Sequence, residues 1–266
     1  MDRTLKQKFR QPFGFYMENL IGRHLALKEI FTMNHAHSHA FEWGLDLNDD
    51  DLNQIKLLLN AEQFDTEKLK IRVIEILDGK LTASDGSYSE LIKKVFSSYD
   101  SEELFSKKIT LLAVSNLISS NVFELLRIEN HRLIVTEVKS QYGPKVDYRI
   151  EFERSQLNRL LALSNKGIET SLIYCIALHE PKFVEIPFIK LYDKFMNYSD
   201  FDGKKFTTDD WADLRIRIPL EYRKEQKFER IHESLYSFKD EQSLFKSILG
   251  AFPGQFSRLE KFINLL

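Results

Sequence analysis

Two glutamates and a lysine are spaced along one segment in a way that suits metal-dependent chemistry on phosphate esters. The apolar runs 122–128 and 133–138 flank the polar turn 129–131, and together they predict an antiparallel β-hairpin. Side chains alternate faces along a strand, so Glu137 and Lys139 are expected to point the same way. The second strand therefore presents an acid and a base side by side.

Glu124 lies on the first predicted strand, where it could meet Glu137 across the pair. Two carboxylates so placed repel one another unless a cation neutralises them. Hard divalent ions such as Mg²⁺ prefer oxygen ligands and keep several waters. Lys139 would then sit beside a metal-activated water, which it could orient, or beside a phosphate whose growing charge it could balance.

The residues after the hairpin have helical period from 152 to 164, and Gln156 interrupts an otherwise apolar stripe there. A buried amide needs partners, and a strand carrying Glu137 and Lys139 beneath the helix would supply them. Gly167 is a plausible C-cap for this helix. Residues 170–178 are apolar apart from Thr170 and Ser171 at the start, and they predict a buried strand.

This order of elements resembles the core of the PD-(D/E)XK nuclease superfamily, whose fold is restriction-endonuclease-like. The resemblance covers 121–178, where Glu137 and Lys139 match the Glu-x-Lys motif and Gln156 matches the glutamine of the following helix. Glu124 falls at the first metal-binding acid, which in the family is most often Asp after Pro. Here Glu follows Phe, and Glu129 in the turn is a second candidate for that acid.

The resemblance implies an α/β fold with a central mixed β-sheet flanked by helices, and hydrolysis of DNA by metal-activated water. Mg²⁺, with Mn²⁺ as a substitute, would be held by Glu124, Glu137 and the carbonyl of Val138. Lys139 would orient the water, and Gln156 would fix Lys139 or a phosphate. Basic residues flanking this site could contact DNA phosphates; they are Lys145, Arg149, Arg154 and Arg159.

Coarse patterning predicts a mainly helical region over 1–87, a nuclease-like core over 88–220 and C-terminal helices packed on the core over 221–266. Glu90, Glu102 and Glu103 lie on helices that precede the first strand of the hairpin. Any of them could approach the metal, but solvent exposure is the simpler expectation for all three. The alternation of Glu with Arg and Lys after Pro219 predicts a solvated helix.

Composition fits a soluble globular protein: the 266 residues are 43% hydrophobic and carry a net charge of −2. Such a chain does not grip nucleic acid through its overall potential. No apolar run is long enough for a membrane span, which points to a cytoplasmic protein without membrane partners; a homodimer is compatible with the sequence. The single cysteine, Cys175, is expected to be a buried inert thiol.

Three alternatives remain open. The chain could be a non-catalytic member of the same fold that binds nucleic acid or another protein, or an unrelated α/β interaction protein in which Glu137 and Lys139 are solvated edge residues. The third is a transition-metal site at His35, His37 and His39, which share a face if that segment is a strand. We interpret these histidines as surface residues of a turn-rich segment.

Overall fold

A six-stranded mixed sheet forms the centre of the molecule. The computed structural model describes residues 3–34, 46–81, 86–96, 101–120, 123–141, 148–152, 154–177, 180–191 and 214–251. The strand order is β1-β2-β3-β5-β6-β8, in which β3 and β5 are parallel and the other neighbours are antiparallel. The six strands are β1 (Phe31–Asn34), β2 (Leu125–Glu129), β3 (Arg132–Gln141), β5 (Glu169–Ile176), β6 (Lys182–Pro187) and β8 (Glu229–Arg230). The predicted α/β class with a mixed sheet is confirmed.

A second, two-stranded antiparallel sheet pairs β4 (Arg149–Phe152) with β7 (Leu214–Arg217). Helices surround both sheets: α1 (Arg3–Leu27), α2 (Asp49–Ala61), α3 (Thr66–Leu77), α4 (Gly86–Val95), α5 (Glu102–Ser119), α6 (Arg154–Asn165) and α7 (Glu241–Ala251). Within the described residues, no helix combines the length and apolar character needed to cross a membrane.

Three helices, α2, α3 and α5, each begin at a residue that caps the helix. The side chains of Asn48, Asp65 and Ser101 accept a backbone N–H of the first turn of α2, α3 and α5. Acids fill the first turn of α2, at Asp49, Asp50 and Asp51, where they suit the helix dipole.

Alternation along β3 sorts its side chains between two apolar layers, as the hairpin pattern predicted. Leu133 and Val135 join the larger layer, which also contains side chains from α2, α3, α5 and α6. Val138 joins the smaller layer, in which α1 and α7 pack against the sheet. Glu137 and Lys139 therefore lie on the face opposite α1.

The hairpin itself is shorter at its start than predicted. Asn130 and His131 form its turn with positive φ angles of 50° and 59°, a geometry that matches the twist of paired strands. The strand β2 begins only at Leu125, so Glu124 occupies a bend just before the strand rather than its interior.

Two other local predictions were wrong. The helix predicted after Pro219 is replaced by short 3-10 turns at 220–222 and 225–227, because the charge alternation there carries no apolar stripe to pack a helix. Phe152, assigned to the helix with Gln156, instead ends strand β4 and is fully buried. Helix α6 starts two residues later, at Arg154.

Candidate active site

Glu124 caps the open edge of β3. The pairing of Leu125 with Thr136 brings Glu124 level with Glu137, but β2 has not yet begun there. The backbone N–H of Val138 consequently has no strand partner on that side, and it donates to Oε2 of Glu124 at 2.6 Å. The N–H and C=O of one strand residue point to the same side of the strand. The Val138 carbonyl therefore also faces the side of β3 that β2 does not cover.

Lys139 is held between an acid and an amide. Its Nζ donates to Oε1 of Glu137 at 2.6 Å and to Oε1 of Gln156 at 3.2 Å. The same ammonium lies 5.5 Å from the ring centroid of Phe152, within cation–π range. Glu137 is only 2% exposed, whereas the Lys139 side chain keeps about a fifth of its exposure, so the ammonium is fixed in direction and still reachable.

A third carboxylate, which the sequence pattern did not single out, comes from α1. Glu18 is 6% exposed and lies among apolar residues of that helix, and Nδ2 of Asn34 on β1 donates to its backbone carbonyl at 3.2 Å. A buried acid on an otherwise apolar helical stripe, next to Met17 and Leu20, was the signal that could have found it. The helix acids Glu90, Glu102 and Glu103 are exposed on α4 and α5, which agrees with the simpler expectation that they are solvated.

Electrostatics at the site are dominated by excess negative charge in a desolvated place. Burial, and then the charge of Glu137, raise the pKa of Glu18 to about 7. Burial and the neighbouring charges of Glu137 and Glu18 raise the pKa of Glu124 well above its usual value. Burial by itself lowers the pKa of Lys139, but Glu137, Glu124 and Glu18 outweigh it, so the pKa is raised and the side chain is a cation at neutral pH.

The donor set fits a hard divalent cation. Carboxylate oxygens and a main-chain carbonyl are the ligands that Mg²⁺ takes, and a cation would relieve the repulsion that raises the pKa of Glu18 and Glu124. Among the described residues, no three His, Cys, Asp or Glu side chains already converge as a metal-binding group. The fit therefore rests on Glu124, Glu137 and the Val138 carbonyl, with Glu18 as a charge in the surroundings.

The structure brings together Glu124, Glu137, Val138, Lys139 and Gln156, which are five of the residues predicted from sequence. Glu129, the second candidate for the first acid, lies at the far end of β2.

Of the predicted phosphate contacts, Arg159 is half-buried on α6, Arg149 opens β4 and Arg154 opens α6. Lys145 and the three histidines His35, His37 and His39 lie outside the described residues. Cys175 is fully buried, and burial raises the pKa of its thiol well above the usual range, so it is inert as expected.

Comparison with known proteins finds no matching family model, no matching curated protein and no matching solved structure.

Proposed function

We propose that this protein is a metal-dependent nuclease that hydrolyses DNA phosphodiester bonds and has a restriction-endonuclease-like core. The observation that carries the proposal is the fixed ammonium of Lys139, bound by Glu137 and Gln156 beside a second carboxylate, Glu124. The Lys139 ammonium has two fixed partners and still keeps about a fifth of its exposure, so it is placed to contact a negatively charged substrate.

The fold supports the same proposal. Strand β3 carries Glu137 and Lys139, α6 carries Gln156, and β5 runs parallel to β3 after this helical crossover. This is the order of elements that the resemblance to the PD-(D/E)XK nucleases implied.

In the proposed reaction Mg²⁺ or Mn²⁺ would be held by Glu124, Glu137 and the carbonyl of Val138. When bound, the cation supplies Lewis-acid chemistry and makes water a better nucleophile. Lys139, being protonated, cannot take a proton from that water; its N–H groups orient the water or stabilise charge on a phosphate oxygen. Gln156 fixes the direction of Lys139 by accepting one of its N–H groups. Basic residues would bind flanking phosphates: Lys145, Arg149, Arg154 and Arg159.

The test is cleavage of supercoiled plasmid by the purified full chain with Mg²⁺ or Mn²⁺. Glu137→Gln and Lys139→Met should each lower the rate by about 10²-fold or more, since each removes a group placed at the developing charge. Chelation by EDTA should abolish cleavage. Glu129→Gln is the matched control, because it makes the same chemical change at the far end of the hairpin and should leave the rate unaltered.

A non-catalytic binding module on the same fold is the second candidate. Two observations favour it: a glutamate stands where the family most often has an aspartate, and no three metal-ligating side chains converge among the residues that the structure covers. It would be supported if the wild type bound DNA but left plasmid, single-stranded, branched DNA and RNA uncut with either metal.

A further inference from the structure

An aromatic and basic cluster lies beside the candidate active site, on the edge formed by β4 and β7. The Arg223 guanidinium lies 5.7 Å from the ring centroid of Tyr148, and the Tyr148 ring lies 6.4 Å from that of Phe228. The ammonium of Lys182 lies 5.5 Å from the Phe228 ring. Tyr148, Arg223 and Phe228 are each half-buried. The rings of Tyr148 and Phe228 pack on the larger apolar layer, and each of the three residues keeps part of its surface exposed.

Tyr148 is held in this cluster by an uncommon backbone conformation. Its φ of 56° is left-handed, which is costly for a bulky aromatic residue and is found mostly where the surroundings enforce it. Buried Ile218 supplies the restraint: its N–H donates to the Tyr148 carbonyl at 2.9 Å, and its own carbonyl accepts from Nε of Arg223 at 2.5 Å. One residue thus fixes both the ring and the guanidinium that lies on it.

The cluster is continuous with the candidate active site. Tyr148 lies 6.3 Å, ring to ring, from buried Tyr174, which pairs with Lys139 in the register of β3 and β5. Tyr148 directly precedes β4, and β4 ends at Phe152, whose ring lies next to the Lys139 ammonium. At about 3.3 Å per residue, the distance along the chain from Tyr148 to Phe152 is about 13 Å, the length of a few stacked nucleotides.

We propose that Tyr148, Arg223 and Phe228 form a platform that binds a single-stranded segment of the nucleic acid next to the scissile bond. Aromatic rings and arginine planes stack on unpaired bases of any sequence. Duplex bases are already stacked on each other and cannot use such a platform. The inference rests on the proposed function and adds to it a substrate class, namely DNA that is single-stranded or unpaired beside the cut.

The test is equilibrium binding of the full chain to fluorescein-labelled single-stranded DNA and to a blunt duplex of the same sequence, both in EDTA so that nothing is cut. Tyr148→Leu and Arg223→Lys, which remove a stacking plane but no charge, should weaken single-strand binding by about 5- to 150-fold and duplex binding far less. Arg132→Lys is the matched control for Arg223→Lys, since Arg132 is an exposed arginine at the far hairpin end, paired with Glu169 at 3.3 Å.

Three results would overturn the inference: wild type that prefers the duplex or binds neither DNA, stacking variants that bind the single strand like wild type, or equal losses on both DNAs. Arg223→Lys leaves Tyr148 in place, so it still decides the question if Tyr148→Leu fails to fold. Cleavage is measured separately. If the protein cuts plasmid but the platform variants bind single-stranded DNA like wild type, only this inference is contradicted. If binding depends on the platform but no DNA is cut, only the proposed hydrolysis is contradicted.

Discussion

Two groups of charged side chains are enclosed within the sheet, and they differ in how their charge is balanced. Arg127 of β2 is 2% exposed and pairs with Glu185 of β6, and its Nε lies 3.7 Å from Glu129. These two glutamate side chains remain about one third exposed, so water shares their charge. At the other end of β3, Glu137 and Glu18 are almost wholly buried and share the cation of Lys139 with Glu124.

Both groups contain more carboxylates than cations, but the carboxylates of the Arg127 group are partly exposed, whereas Glu18 and Glu137 of the second group are buried. Buried charge without compensation costs several kcal/mol, which shows as the raised pKa values of Glu18 and Glu124. The Arg127 group can exist as an ordinary structural ion pair. The Lys139 group has an excess of buried negative charge that a bound cation would neutralise. This difference is the physical reason for proposing a function at the Lys139 group and not at the Arg127 group.

The largest difference in stability between the two groups is expected when the positively charged side chain of each is replaced by Met. Lys139→Met leaves buried carboxylates facing one another and should lower the free energy of unfolding by about 3–5 kcal/mol near pH 8. This loss of stability should become smaller towards about pH 5, because the buried carboxylates of the folded variant are then protonated and no longer repel one another. Chemical denaturation at both pH values measures this.

Arg127→Met is the comparison for that experiment. Its carboxylate partners can turn towards water, so its cost should be nearly the same at both pH values. A pH-independent loss for Lys139→Met would contradict the contrast between the groups.

Removing one acid from the overcharged group should stabilise the metal-free protein. The pKa of Glu18 is about 7 in the folded chain against 4.5 for the ordinary side chain. Between these values the native state keeps a proton that the unfolded chain has lost, so stability falls as pH rises, by up to about 3 kcal/mol. Glu18→Gln should therefore raise the free energy of unfolding above about pH 7 and leave it unchanged below about pH 4.5.

The same change at an exposed helix position, Glu90→Gln, should leave the free energy of unfolding unchanged at both pH values. Equal stability of Glu18→Gln and wild type near pH 8 would mean that water reaches the Glu18 carboxylate.

Binding of a divalent metal ion should stabilise the folded protein, as removal of one buried acid should. At a hundred times its dissociation constant, Mg²⁺ should stabilise the wild type by about 2.7 kcal/mol, seen as a higher Tm in thermal unfolding. Glu137→Gln should abolish most of that gain and Glu185→Gln none of it. A gain of equal size in all three proteins would place the ion elsewhere.

The smallest effect is expected between the two groups, where the hydroxyls of Thr136 and Ser171 share a buried hydrogen bond of 2.9 Å. Thr136→Val should cost about 1 kcal/mol, because a neutral hydrogen bond contributes about that much. Neither pH nor Mg²⁺ should change this cost, as measured in the same denaturation series. A metal-dependent cost would imply that the two groups are coupled across the sheet.

Local sequence determined much of what lies in one hairpin and the helix after it. Alternation along 133–139 placed Glu137 and Lys139 on one face, and the glutamine on α6 met Lys139 as the period predicted. The same reasoning misplaced Glu124 by one step, because whether a strand has begun depends on its neighbour and not only on its own apolar residues.

Tertiary structure alone decided which distant residues join this site. The charge of Glu18 acts on Glu124, Glu137 and Lys139 although α1 packs on the other face of the sheet, and no spacing along the chain encodes that proximity. The pairing of β4 with β7 likewise joins strands that are separated along the chain by the whole of β5 and β6. Periodicity reports which face a residue occupies within its own element, whereas long-range pairing follows from how whole apolar faces are buried together.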